Sequence, residues 1–175
     1  MRRTVLVYEL VGIIFIIILG SLLHFTFELS DHQAVVGIFS SVNESVWEHL
    51  KLAFWPALFF AIIEYRPLKS SQNFLFAKGV GIYLMPAIIA VLFYSYTAVI
   101  GESVFAIDIL TFIIAVIVGQ FVSYKLLVSK KFPKTWGRIF LIALILLAAL
   151  FVIFTFYPPH LPIFQDPITG GYGLH

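Results

Sequence analysis

Residues 5–27 read VLVYELVGIIFIIILGSLLHFTF, an apolar run close to the ~20 residues that an α-helix needs to cross a bilayer. Four further apolar runs, at 47–65, 79–100, 104–128 and 138–157, have similar lengths. The chain of 175 residues is 61% hydrophobic and 11% charged, whereas soluble domains carry about 25% charged residues. The sequence therefore predicts an all-α integral membrane bundle of five transmembrane helices, with an interfacial or re-entrant segment between the first two.

The composition also indicates the domain organisation and the surroundings. We predict one transmembrane domain at 1–157, in contact with the lipid bilayer, followed by an extracytoplasmic tail at 158–175 that is rich in Pro and Gly and has no regular structure. The chain has no cysteine, which excludes thiol catalysis, thiolate metal sites and disulfides. The excess of basic residues is accounted for by the loops, so nothing in the sequence indicates nucleic acid as a partner.

The basic residues predict the orientation. If all five runs span the membrane, ten of the eleven Lys and Arg residues share one side: Arg2, Arg3, Arg66, Lys69, Lys78, Lys125, Lys130, Lys131, Lys134 and Arg138. By the positive-inside rule that side is cytoplasmic. We therefore predict a multi-pass protein of the cell membrane with a cytoplasmic N-terminus and an extracytoplasmic C-terminus. All five histidines then lie at or near the outer face: His24, His32, His49, His160 and His175.

The start of the second span, NESVWEHLK at 43–51, concentrates side chains that can carry chemistry. Glu44 and Glu48 are four residues apart and share one helical face, and His49 lies on the adjacent face. Histidine and carboxylate groups one turn apart can present metal ligands, or an acid and its base. Ser41, three residues before Glu44, is typical of a capping box and predicts a helix start near residue 42.

The same segment has a purely structural interpretation. In it, Glu44 caps the helix, Glu48 and Lys51 form a solvated ion pair, and His49 is an interfacial residue. Deeper polar residues are predicted to serve packing as well. Glu64 is expected to pair with Arg66 or reach the interface, and residues 120, 123 and 124 are expected to bond across helices.

Two ionisable residues lie about one turn inside the outer ends of other spans, His24 in the first and Asp108 in the fourth. Groups at that depth normally face the bundle interior and find partners, because exposure to hydrocarbon costs roughly 2–3 kcal/mol or more. His160 and Asp166, beyond the fifth span, could reach the same region. We therefore predict a shared outer site, with metal ligands His24, His49, His160 and Asp108 and catalytic carboxylates Glu48 and Glu44.

Histidines and carboxylates without cysteine suit a divalent metal such as zinc, manganese or iron better than copper(I). No HExxH, HxxxH or GxSxG signature is present. The leading hypothesis is a metal-dependent membrane hydrolase or transferase acting on a lipid or another amphiphilic substrate. The alternatives are a small proton- or cation-coupled transporter or channel, and a non-enzymatic accessory subunit of a membrane complex.

The segments NESVWEHLK, FWP and IDI, together with the YPPH tail, resemble an uncharacterised bacterial family of small multi-pass membrane proteins with a NESVWEHLK motif. A looser likeness links Asn43, Glu44, Trp47 and His49 to the signature of the seven-helix membrane metal-hydrolase superfamily, which includes haemolysin-III-like proteins and alkaline ceramidases. That resemblance implies a zinc-dependent hydrolase. This chain differs from the superfamily in having five predicted spans and no His-x-x-x-His pair in the last one.

Overall fold

A computed structural model describes residues 2–69 and 71–174 and contains six α-helices. They are α1 (Arg2–Leu29), α2 (Ala34–Gly37), α3 (Val46–Leu68), α4 (Phe74–Ile100), α5 (Phe105–Leu127) and α6 (Lys134–Phe156). All except the four-residue α2 are long and apolar enough to cross a membrane. The predicted all-α bundle with five spans is therefore confirmed. His175 lies outside the described residues.

The helix α3 is the most buried of the five long helices. It packs against α1 and α4, α4 also packs against α5 and α6, and α1 also packs against α5. The outer helices expose many large aliphatic side chains, such as Ile14, Ile117 and Ile145, which is the surface expected for helices in contact with lipid. The end of the bundle at which α1 and α4 start is called the basic end. The opposite end is called the histidine end.

Glycines allow α4 and α5 to approach each other closely. A Cβ atom on Gly81 would lie 2.8 Å from the carbonyl oxygen of Gly119, and a Cβ atom on Gly119 would lie 2.8 Å from the carbonyl oxygen of Gly81. No side chain fits at such a backbone contact. Small residues of this kind are typical of helix packing within membranes, where backbone proximity strengthens van der Waals contact.

The helix α3 begins four residues later than the sequence indicated. Its N-cap is Ser45, whose hydroxyl accepts a hydrogen bond from the backbone N–H of Glu48, and the first helical residue is Val46. Asn43 Oδ1 accepts the backbone N–H of Ser45 at 2.9 Å, so the preceding turn is fixed by a side chain rather than by helical bonds. The predicted cap at Ser41 is wrong. Because α3 starts later, Glu44 lies in the preceding loop, and the helix does not set the direction of its side chain.

The segment between α1 and α3 and the tail after α6 fold onto the histidine end. Between α1 and α3, the short helix α2 lies in the segment for which the sequence predicts an interfacial or re-entrant piece. After α6, a 3₁₀ turn (Pro162–Phe164) and an isolated bridge between Gln165 and Tyr172 order the tail. The backbone N–H of Leu174 donates to Thr155 at 2.9 Å, which joins the tail to α6. These backbone bonds and the buried Phe164 hold the tail against the bundle, although most of its residues lie outside regular helix or strand.

Candidate metal centre

Three side chains converge at the histidine end: His24 near the end of α1, Glu44 in the loop before α3, and His49 in the first turn of α3. Their ligand atoms all lie within 4.8 Å of one another. The Nε2 atoms of the two histidines are 3.2 Å apart. Glu44 Oε2 lies 3.9 Å from the Nε2 of His24 and 3.4 Å from the Nε2 of His49. Both imidazoles are partly buried and the carboxylate is exposed, so the group faces an accessible region.

The backbone sets the orientation of the His49 ring. Its Nδ1 atom lies 2.9 Å from the carbonyl oxygen of Ser45, the N-cap of α3. A carbonyl oxygen can only accept, so Nδ1 carries the proton and donates it. In the neutral imidazole the lone pair then belongs to Nε2, the atom that faces His24 and Glu44. A hydrogen bond of this type from the distal ring nitrogen is the usual support of a metal-binding histidine.

This tautomer concentrates negative potential among the three side chains. The Nε2 of neutral His49 is an acceptor, and the nearby carboxylate oxygen of Glu44 is another, so a proton or a cation between them would be stabilised by both. The interaction with His49 holds the pKa of Glu44 below its usual value, with both imidazoles contributing further and burial opposing. Glu44 is therefore an ionised acceptor at neutral pH. Protons and a metal cation compete for this same position.

The three side chains line one end of a cavity of about 370 Å³ between α1, α3, α4 and α5. Apart from the cluster, Asp108 and Ser103 add polar groups, whereas most of the wall is apolar and includes Ile17, Leu52, Ile89, Phe93 and Phe112. Pro167 and Ile168 of the tail also line it. A polar end next to an apolar body is the arrangement that holds a ligand by a few directed contacts and a larger buried apolar part.

Asp108, predicted as a metal ligand, lines this cavity but does not belong to the three-residue cluster. Its Oδ1 accepts a hydrogen bond from the hydroxyl of Tyr96 on α4. It lies near enough to His49 for its charge to act on that imidazole. We predicted that His24 and Asp108 would each contact a polar side chain from another helix. Both do, through His49 and Tyr96 respectively, because a lone polar group in an apolar bundle is unfavourable.

Glu48, predicted as a catalytic carboxylate, is buried away from the cavity in an ion pair with Lys51 at 2.5 Å. Its Oε2 also accepts the backbone N–H of Val42 at 3.0 Å. The ammonium of Lys51 donates to the carbonyl oxygen of Gly37 and to the hydroxyl of Thr155. The pair therefore joins α2, α3 and α6 and is not solvated, contrary to the structural interpretation of the sequence.

The structure does not bring His160, predicted as a ligand, to the other two histidines. Its exposed ring stacks on Tyr172 with the ring centroids 4.5 Å apart. Asp166 accepts hydrogen bonds from the hydroxyl of Thr169 at 2.6 Å and the backbone N–H of Ile168 at 3.0 Å, so it fixes a turn of the tail. The sequence places His160 and Asp166 shortly after α6, but this position does not show whether they reach the metal cluster. The turns within the tail decide where their side chains lie.

Sequence reasoning missed a second polar cluster at the basic end. Lys78 on α4 contacts the carboxylates of both Glu9 on α1 and Glu64 on α3. The expected pairing of Glu64 with Arg66 is wrong. The expected bonds of Gln120 and Ser123 across helices are present, since both donate to Glu9. The available signal was a single glutamate inside the first apolar span, a position at which a charge requires a partner.

The chain matches, over residues 3–174, a family described only as a family of unknown function (DUF6512). It belongs to that family. The match covers nearly the whole chain, from α1 to the tail after α6. No curated protein and no solved structure matches the chain.

Proposed function

We propose that this DUF6512 protein is a metal-dependent membrane enzyme that hydrolyses or transfers a group on an amphiphilic substrate. In this proposal His24, His49 and Glu44 are the metal ligands. The observation that carries it is the spacing of their ligand atoms. A point equidistant from the two Nε2 atoms and the Oε2 atom lies about 2 Å from each, which is the length of Zn–N and Zn–O bonds.

The chemistry of the three groups supports zinc as the first candidate. Two imidazoles and one carboxylate are a ligand set of catalytic zinc sites, which keep a fourth position open for water or substrate. Sulfur is absent from the set, so copper(I) is disfavoured. The hydrogen bond between His49 Nδ1 and Ser45 already holds one ligand in the required tautomer, and Glu44 supplies negative charge.

The cavity supports an amphiphilic substrate. Its polar end contains the proposed ligands and Asp108, and its remaining wall is built from aliphatic and aromatic side chains. An acyl or similar chain would occupy the apolar part and place its polar linkage beside the cluster. Most of the wall comes from helices that also contact lipid, so a substrate that partitions into the bilayer is favoured over a soluble one.

A bound zinc ion would supply a polarising centre and a water of lowered pKa. The protein's own side chains then orient the substrate and accept protons. Asp108 is the carboxylate that lines the cavity without belonging to the ligand cluster, so we assign to it the general base that the sequence had assigned to Glu48 or Glu44. Tyr96, which donates to Asp108, fixes the direction of the carboxylate as a positioning residue.

Metal analysis of the purified protein tests the binding site. His24→Ala and His49→Ala should each lower the zinc content per protein by at least about tenfold, because loss of a direct ligand costs no less than the 10–100-fold typical of supporting residues. His160→Ala is the matched control, an exposed histidine of the same face outside the cluster, and should retain the metal. Equal zinc in all three variants and the parent would contradict the proposal.

A separate assay tests the reaction. The protein in detergent or vesicles is incubated with a panel of lipid esters, amides and phosphoesters, before and after chelation and zinc replacement. Turnover should disappear on chelation and return with zinc. Asp108→Asn should keep the zinc and lose most of the turnover, because an amide cannot accept the proton. Unchanged turnover in Asp108→Asn would remove Asp108 from the proposed mechanism but leave the metal site intact.

A further inference from the structure

The second cluster of charged side chains lies near the basic end of the bundle, in the half opposite the proposed metal site. The ammonium of Lys78 is 2.7 Å from Glu9 Oε1 and also contacts Glu64 Oε1. Ser123 on α5 donates to Glu9 Oε1 at 2.9 Å. Glu9, Glu64 and Lys78 are at most 4% exposed, so the ion cluster lies within the bundle rather than at its surface.

The charges of this cluster do not balance. Two carboxylates share one ammonium, and within residues 2–69 and 71–174 no other basic side chain forms an ion pair with either glutamate. Ser123, which donates to the carboxylate of Glu9, is neutral, and Gln120 donates to the backbone carbonyl oxygen of Glu9 rather than to its carboxylate. In the described part of α6, no side chain donates to it or pairs with it. With all groups ionised the cluster would carry one negative charge in an environment where an unpaired charge costs several kcal/mol.

The hydrogen bonds point to how the charge is neutralised. Glu9 Oε2 and Glu64 Oε2 are buried and have no hydrogen-bond partner. An ionised carboxylate oxygen without a donor is costly in such a place, and protonation removes the charge of that carboxylate. Glu9 receives bonds from both Lys78 and Ser123, but Glu64 contacts only Lys78. Glu64 is therefore the less stabilised anion of the two.

We propose that Glu9, Glu64 and Lys78 form a binding site for one exchangeable proton, carried mainly by Glu64. A proton is favoured over a metal cation because the ammonium of Lys78 contacts both carboxylates and would repel a second cation held between them. The three residues come from α1, α3 and α4, so binding or release of the proton changes the attraction among three packed helices. This site is independent of the metal cluster.

Infrared spectroscopy of the purified full-length protein at neutral pH tests the proposal through the C=O stretching band of a protonated carboxylic acid. The parent protein should show one such group, sensitive to exchange into heavy water. Glu64→Gln and Glu9→Gln should each abolish the band, since one carboxylate then faces one ammonium. Lys78→Met should roughly double it, because two carboxylates without a cation both take up protons.

Glu48→Gln is the matched control, because Glu48 is equally buried and also has one oxygen without a hydrogen-bond partner, but its charge is balanced by its own lysine, Lys51. It should leave the band unchanged. Absence of the band from the parent protein would overturn the proposal, as would its persistence in both Glu9→Gln and Glu64→Gln. Testing the two glutamine variants separately keeps the experiment decisive if one of them does not fold.

Discussion

The Nε2 atoms of His24 and His49 lie 3.2 Å apart across the interface of α1 and α3, although 25 positions separate the two residues in the chain. Their contact depends on Gly20, one turn before His24 on α1. A Cβ atom there would lie 2.4 Å from the carbonyl oxygen of Leu52, so glycine is required for the helices to come this close. Helix proximity thus places two imidazole nitrogens at the separation of two ligands of one metal ion.

Metal binding should weaken as the pH falls through the histidine range. Both imidazoles must lose a proton to bind, and histidines ordinarily titrate near a pKa of about 6.5. The pKa of Glu44 is below its usual value, so this carboxylate stays ionised throughout the histidine range and does not set the midpoint. Zinc content measured between about pH 5 and 8 should fall on the acidic side of this range.

Glu44→Gln should lower the zinc affinity at every pH while leaving the pH midpoint of binding almost unchanged, because the two histidines remain. His160→Ala should alter neither quantity. A midpoint near pH 4, or one displaced strongly by Glu44→Gln, would show that a carboxylate rather than an imidazole controls binding.

Filling the cavity should block an amphiphile without affecting the metal. Ile89→Trp enlarges a buried side chain in the cavity wall on α4. The affinity for a fluorescent fatty acid should fall by about tenfold or more, because losing the burial of one apolar side chain costs about 1.5 kcal/mol. Ile62→Trp, at a position of α3 that is 67% exposed, is the control and should bind the probe normally. Equal binding by both variants would show that the probe lies elsewhere.

The Glu48–Lys51 pair should contribute to stability and not to the reaction. Lys51→Met leaves a buried carboxylate without its cation, and the expected loss is about 3–5 kcal/mol in the free energy of unfolding. The double variant Lys51→Met/Glu48→Gln should recover most of this loss, because no charge then remains buried. Thermal unfolding in detergent measures both. If the double variant were no more stable than the single one, the uncompensated charge would not be the cause.

Cysteine accessibility tests the predicted orientation, and the native chain offers a cysteine-free background. Glu102 lies between α4 and α5 and Lys131 between α5 and α6, and both are exposed. By the positive-inside rule, a membrane-impermeant maleimide should label Glu102→Cys in intact cells, and should label Lys131→Cys only after permeabilisation. The reverse pattern would place the histidine end in the cytoplasm.

The five long helices follow directly from the sequence, because a continuous apolar run of about 20 residues in lipid has to satisfy its backbone internally as a helix. The inward direction of His24 and Asp108 also follows from the sequence, because exposing an ionisable side chain to hydrocarbon is costly in free energy. The position of Glu44 does not. The direction of its side chain depends on which residue begins α3. Ser41 and Ser45 are each followed three residues later by a glutamate, so both fit the capping-box pattern.

Only the tertiary structure decided which ionisable side chains contact each other. The sequence determined that this chain is a five-helix membrane bundle with ionisable groups near one end, since hydropathy and the cost of a charge are properties of each residue. It could not determine that the Glu48–Lys51 pair is buried or that Glu64 pairs with Lys78, while Glu44 joins His24 and His49. These pairings depend on helix rotation and on close contacts such as Gly20 with Leu52, which arise only when all the helices pack together.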